Sequence, residues 1–199
     1  MKTKFLKLSL LALVLFTASC SSDDNNNDDN TIPAVVTTKV SNLDASQTKY
    51  TKYSFSENKV VTNDNWDIAF NTTTILVNGG VKMTDGEPIR TGSGAVSIAS
   101  GTFASVTLYP AAATFVQDAT TVYAIPKGSG KGWYNYDMTT HIVTPIAGKV
   151  FVVKTHDGKY AKFEILSYYK DAPAKPEATS VPGFYTFNFA YQANSTTTF

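Results

Sequence analysis

Large apolar and polar side chains alternate along this chain with a period of two over most of its length. The pattern is clearest near the C-terminus. Tyr185, Phe187, Phe189 and Tyr191 share one face, while Phe184, Thr186, Asn188 and Ala190 share the other, which is the spacing of a strand with one aromatic side. Residues 160–169 repeat it, with Ala161, Phe163 and Ile165 opposed to Lys162 and Glu164. Residues 149–155 precede them. The intervening His156-Asp157-Gly158-Lys159 is a hairpin signal, because Asp and Gly tolerate the positive φ that tight turns demand. Further strands are predicted at 35–40, 50–55, 66–70, 74–77, 95–98, 105–108, 121–125 and 132–136. Asn78-Gly79-Gly80, Asp85-Gly86, Gly92-Ser93-Gly94 and the Gly128–Gly132 stretch separate them. No window carries the periodicity of a long amphipathic helix, and residues 111–117 suffice for a turn or two at most. Residues 171–182, with Pro173, Pro176 and Pro182, read as an extended surface loop between the last two strands. The predicted fold is a single all-β domain, an irregular sandwich or barrel-like structure with few or no helices.

The N-terminus follows a different pattern. Lys2, Lys4 and Lys7 precede an apolar run from Leu8 to Phe16, broken only by Ser9. The run is too short to span a bilayer, which takes about 20 apolar residues, but it suits a signal peptide. Thr17, Ala18 and Ser19 are small, and Cys20 follows directly, an arrangement that resembles the lipobox of bacterial lipoproteins. Residues 1–19 are therefore expected to be a signal peptide, and Cys20 to be lipidated. Residues 20–31, acidic, Asn-rich and with nothing to bury, are expected to be a disordered tether, and residues 32–199 to form the β domain. Ser22-Asp23-Asp24, close behind the lipidated Cys, resembles a signal that exports lipoproteins to the cell surface. Outer-membrane anchoring through lipid alone, on the cell surface, is the expected location.

Composition narrows the chemistry. Charged residues make up 17% of the chain and the formal net charge is +1; with no basic patch, nucleic acid is not an expected partner. Aromatics are 13%, with 11 Tyr and 12 Phe, a strand composition. Cys20 is the only cysteine, so once lipidated it leaves no thiol for a disulfide, a metal site or a nucleophile. His141 and His156 lie in no metal-binding spacing, and each reads first as a loop or turn residue. No Gly-x-Ser-x-Gly elbow occurs, and Gly128-Ser-Gly-Lys-Gly132 lacks phosphate-loop spacing. Asp67, Asp118 and Asp137 are the only evident seeds of an acidic catalytic cleft, and no nucleophile, base and orienter can be assembled around them. The chain is expected not to be an enzyme.

Taken in order, several segments resemble one family. They are Asn65-Trp66-Asp67-Ile68-Ala69-Phe70, Gly132-Trp133-Tyr134-Asn135-Tyr136, Val150–Lys154 with Asp157-Gly158-Lys159-Tyr160-Ala161-Lys162, and Phe184–Tyr191. Over residues 35–192 these are similar to the HmuY-like haem-binding lipoproteins. The resemblance implies an all-β haem holder that takes haem from host haemoproteins and passes it to an outer-membrane receptor, with a TonB-dependent receptor as the candidate partner. It also implies an axial iron ligand five residues past Trp133, where this chain has Met138. A thioether there raises the reduction potential and favours ferrous haem. Trp133, Tyr134 and Tyr136 would wall the apolar pocket. The family's second axial His has no counterpart in the stretch between Phe115 and Gly132, which holds neither His nor Met; Met83 and His141 are the substitutes. The alternative is a non-catalytic binding or adhesion module that keeps the scaffold and has lost haem ligation.

Overall fold

A computed structural model describes residues 35–194 and 196–199. The expected signal peptide, Cys20 and the expected tether lie outside the described residues. Among those described, the chain forms β1 (Thr37–Asp44), β2 (Thr51–Ser54), β3 (Lys59–Val61), β4 (Ile68–Asn71), β5 (Thr74–Val77), β6 (Ala95–Ser100), β7 (Tyr134–Tyr136), β8 (Val143–Pro145), β9 (Lys149–Lys154), β10 (Tyr160–Tyr169) and β11 (Pro182–Gln192). One 3-10 turn, Ala112–Thr114, is the only helical element among the described residues, and it falls within the stretch where a turn was expected.

The strands form a five-stranded sheet in the order β1-β11-β10-β9-β6, a four-stranded sheet β3-β2-β4-β5, and the separate hairpin β7-β8. All three are antiparallel, and neither large sheet closes on itself. The fold is an open all-β sandwich.

The period-two pattern determines how the sheets face each other. Tyr185, Phe187 and Phe189 of β11 are buried, as are Tyr53 and Phe55 of and beside β2 and Phe70 of β4. Ring centroids meet across the gap at 4.7 Å for Phe70–Tyr185, 5.2 Å for Phe55–Phe189 and 5.4 Å for Tyr53–Phe187, the last edge to face. Each such pair contributes about 0.5–1.5 kcal/mol beyond the area it buries. Asp157-Gly158 turns the β9–β10 hairpin as expected, with Gly158 at φ +78° and Gly158 N–H donating to the Thr155 carbonyl at 3.0 Å.

Two expected strands do not pair into sheets. Residues 105–108 make a single bridge, Leu108 to Thr198; they cover the outer face of the larger sheet, where the Lys162 ammonium donates to the Phe103 and Val106 carbonyls. Residues 121–125 cover the outer face of the smaller sheet, where Tyr123 packs beside Trp66, Ala69 and Leu76. They are held by side chains: the Tyr123 hydroxyl donates to Glu87 and the Ala124 N–H to Asp118. Arg90 lies between Glu87 and Asp118, 2.8 Å from each. Strands β3 and β8, each three residues long, were not predicted.

Candidate functional site

The β7–β8 hairpin is attached to the core through Trp133. Its indole is 1% exposed, its Nε1–H donates to the Thr73 carbonyl at 2.9 Å, and its ring packs on Tyr134, Tyr168 and Tyr185. Gly132 makes this entry possible, since a Cβ there would stand 2.0 Å from the Pro126 carbonyl oxygen. Beyond Tyr136 the chain turns through residues 137–142. The Asp137 N–H donates to Ile142 O at 2.9 Å, and the His141 N–H to Asp137 O at 2.8 Å. The Asp137 carboxylate accepts the Thr139 and Thr140 N–H groups at 2.7 and 3.0 Å. These hydrogen bonds from Thr140 and Thr139 hold its carboxyl below the ordinary carboxylate range. His141 is placed at φ +58°, and its Nδ1 shares a hydrogen bond with the Tyr136 hydroxyl.

The loop between β10 and β11 stands opposite. Its ends are joined by Lys170 N–H to Val181 O at 2.9 Å. Asp171 and Ala172 lie at positive φ, 60° and 44°, a conformation that non-glycine residues adopt only where the surroundings impose it. Asn42 supplies that constraint: its Nδ2 donates to the Asp171 carboxylate at 2.8 Å, and its Oδ1 accepts the Asp171 N–H at 2.7 Å. Asn42 is itself held at φ +56° in the irregular stretch of β1.

Between hairpin tip and loop lies an open cleft. Its outer part, about 820 Å³, is lined by Thr139, His141, Ile142, Lys175, Pro176 and Ala178 among others. Its inner part, about 500 Å³, also includes His141 and Ile142 and reaches Tyr168, Tyr169 and Ser180. The floor is set by β10, where the Tyr169 hydroxyl accepts the Val143 N–H at 2.9 Å. The outer wall mixes apolar Ile142, Pro176 and Ala178 with Thr139, Thr140, Thr144 and charged side chains, and the outer volume falls in the range of about 300–1,000 Å³ common for small-molecule sites.

The residues singled out from sequence are not all brought together. His141 lines both parts of the cleft. Met138 is on the same tip, 78% exposed, and is not among the lining residues. Met83 packs with Val61, Trp66 and Tyr123 on the outer face of the smaller sheet. Trp133 is inside the core, and Tyr134 and Tyr136 are half-buried against that core. Asp67, Asp118 and Asp137 occupy separate places, each accepting backbone N–H groups. Sequence reasoning missed Tyr168 and Lys175; the three prolines of 171–182 marked the loop, but nothing local marked it as one wall of a cleft.

The described residues thus form an all-β sandwich with a cleft held between a hairpin and a proline-rich loop. The chain belongs to the HmuY protein family, whose profile matches residues 46–189. Among solved structures, the chain is similar to an apo HmuY analogue of Tannerella forsythia, with a TM-score of 0.59 at 16% identity, covering 83% of this chain and 100% of that one. A Bacteroides fragilis protein described as a lipoprotein aligns at TM-score 0.49 and 19% identity, over 79% of this chain and 91% of that one. A Bacteroides vulgatus protein described as HmuY-like and heme-binding aligns at TM-score 0.49 and 21% identity, over 79% and 92%. No curated protein sequence matches the chain.

Proposed function

We propose that this protein is a lipid-anchored haem carrier of the outer membrane, displayed at the cell surface, and that haem is bound in the cleft between residues 137–142 and 171–182. The observation that carries the reading is His141. It lines the cleft, with Nδ1 engaged by Tyr136, so Nε2 is the nitrogen left for an iron. When a partner engages one ring nitrogen, it fixes which nitrogen is available to a metal. Ile142, Pro176 and Ala178 offer the apolar surface that a flat macrocycle needs. Met138, in the position the family resemblance indicates, is exposed on the same tip, and an unbranched thioether side chain can be re-aimed without moving the backbone.

In this reading the apolar run directs export and the lipid on Cys20 supplies the anchor. The carrier takes haem from host haemoproteins and gives it to an outer-membrane receptor, of the TonB-dependent kind; no catalysis is involved. The position of Met138 outside the cleft lining favours one second reading, a binding module on the same scaffold without haem ligation.

Titration of the chain from Ser21 onward with haemin, in oxidised and dithionite-reduced states, separates the two. A saturable, shifted Soret band that His141→Ala or Met138→Ala alters supports the carrier and assigns the ligand. A Met138 effect confined to the reduced state is the signature of thioether ligation. Spectra identical to free haemin in both states overturn the haem reading and leave the module.

A further inference from the structure

The register of the larger sheet defines two poles of the domain. Thr37, where β1 begins, pairs with Ala190 of β11, and Ala190 with Lys162 near the start of β10. Tyr160 pairs with Lys154 at the end of β9, and Lys154 with Ala95 at the start of β6. The chain therefore enters the sandwich at the pole that carries the His156–Lys159 turn. At the other pole Asp44 meets Phe184, Tyr169 meets Pro182, and Ser100 meets Lys149. The smaller sheet agrees. Its β4–β5 turn reaches Tyr185 and Trp133 through the Thr72 and Thr73 carbonyls, and the Thr72 N–H donates to the Ala45 carbonyl, just past β1. Asp67, before β4, holds the His156 turn at the first pole.

Every wall of the cleft belongs to the second pole. The loop 171–182 leaves β10 after Tyr169 and returns into β11 at Pro182. The hairpin tip is joined to the same place by the Val143 N–H on the Tyr169 hydroxyl, and Thr73, Tyr168 and Tyr169 line the inner part. From the level of Lys162, in line with Thr37, β10 advances seven residues to Tyr169, about 23 Å at about 3.3 Å per residue. The cleft thus opens most of a strand's length away from the point where the chain enters. Sixteen residues separate Cys20 from Thr37, and they join the domain at the pole without the cleft.

We infer that the cleft is the membrane-distal end of the anchored protein and is presented to soluble macromolecules in the medium. A body tied to a surface at one pole keeps that pole nearest the surface on average, and here the tie is at Thr37. The partner that fits this placement is a soluble protein, which reaches the cleft without touching the bilayer. Exchange with a bilayer-embedded partner requires the domain to tip about its point of entry. The inference rests on the lipid-anchor reading at Cys20 and is independent of which ligand the cleft takes.

The test uses the lipidated protein in phosphatidylcholine vesicles whose headgroups carry an energy acceptor, with no haemin present. Cys20 is the only natural cysteine, so once it is lipidated Thr179→Cys on the loop, or Ala193→Cys just past β11, supplies the one free thiol for a donor dye. Both positions are exposed. Energy transfer is expected to be severalfold stronger from Ala193→Cys than from Thr179→Cys. Equal transfer, or stronger transfer from Thr179→Cys, overturns the inference. A maleimide on a bulky polyethylene glycol then stands in for a soluble macromolecule. It is expected to react with Thr179→Cys on vesicles as fast as in the anchor-free chain from Ser21 onward, and more slowly with Ala193→Cys. Slowing at Thr179→Cys overturns the inference as well. Thr139→Cys and Thr197→Cys, exposed at the same two poles, replace a variant that loses its cooperative melt. A mature chain whose mass shows no lipid on Cys20 removes the anchor reading, and this inference with it. The haem reading is decided separately, by the haemin titration.

Discussion

At the scale of single residues, Asp67 shows how a polar side chain can organise an aromatic core. Its carboxylate is buried completely and accepts three hydrogen bonds: the Phe55 N–H at 2.7 Å, the His156 N–H at 2.9 Å and His156 Nδ1 at 2.8 Å. Burial pushes its carboxyl above the ordinary carboxylate range, opposed by the His156 and Phe55 hydrogen bonds. The arrangement ties the smaller sheet to the β9–β10 turn. Asp67→Ala leaves two backbone N–H groups without their acceptor and is expected to lower stability by about 2–4 kcal/mol; a urea melt showing less than about 1 kcal/mol would sink the claim. Sequence reasoning gave Asp67 only as a seed of an acidic cleft and His156 as a turn residue. The structure instead packs His156 on Asp67, its side chain 17% exposed. The two are 89 positions apart, and no local pattern encodes such a pairing. Tyr168 was hidden for the same reason: alternation places it in a strand, but that it lines the cleft depends on the fold around it.

At the scale of elements, strands whose faces differ sharply were legible and short or side-chain-held ones were not. The aromatic face of β11 and the Asp-Gly turn before β10 were evident from periodicity and turn chemistry alone. The segment 121–125 is apolar enough to read as a strand, and Tyr123, Ala124 and Ile125 are buried in a row, yet Glu87 and Asp118 take the place of a neighbouring strand. The β7–β8 hairpin was half legible: 132–136 was read, and the three-residue return strand β8 was not. Its tip has its own electrostatics. Hydrogen bonds from Thr140 and Thr139 lower the Asp137 pKa in the folded state, so the ordering they provide is complete above the unfolded carboxylate range. It is lost only as pH falls through the lower folded value. Amide exchange at Thr139 and Thr140 should therefore stay slow down to pH values below the ordinary carboxylate range. Acceleration within that range, or above it, would contradict the account.

At the scale of the whole molecule, the described sandwich carries a cleft whose two walls come from separate connections. Trp133 secures one wall to the core and the Asn42–Asp171 pair secures the other, so the opening is set by packing. Fold class and the proline-rich loop 171–182 were legible in the sequence; that 137–142 forms a hairpin tip facing this loop was not, because it depends on the unread return strand β8 and on where β10 delivers the loop. The central claim is that haem is bound between these walls. Hydrogen–deuterium exchange of the chain from Ser21 onward, with and without saturating haemin, tests it most directly. The account predicts added protection at residues 137–142 and 171–182 together and little change at residues 78–90, around Met83. Protection at 78–90, or none at either wall of the cleft despite a bound-haem spectrum, would contradict it.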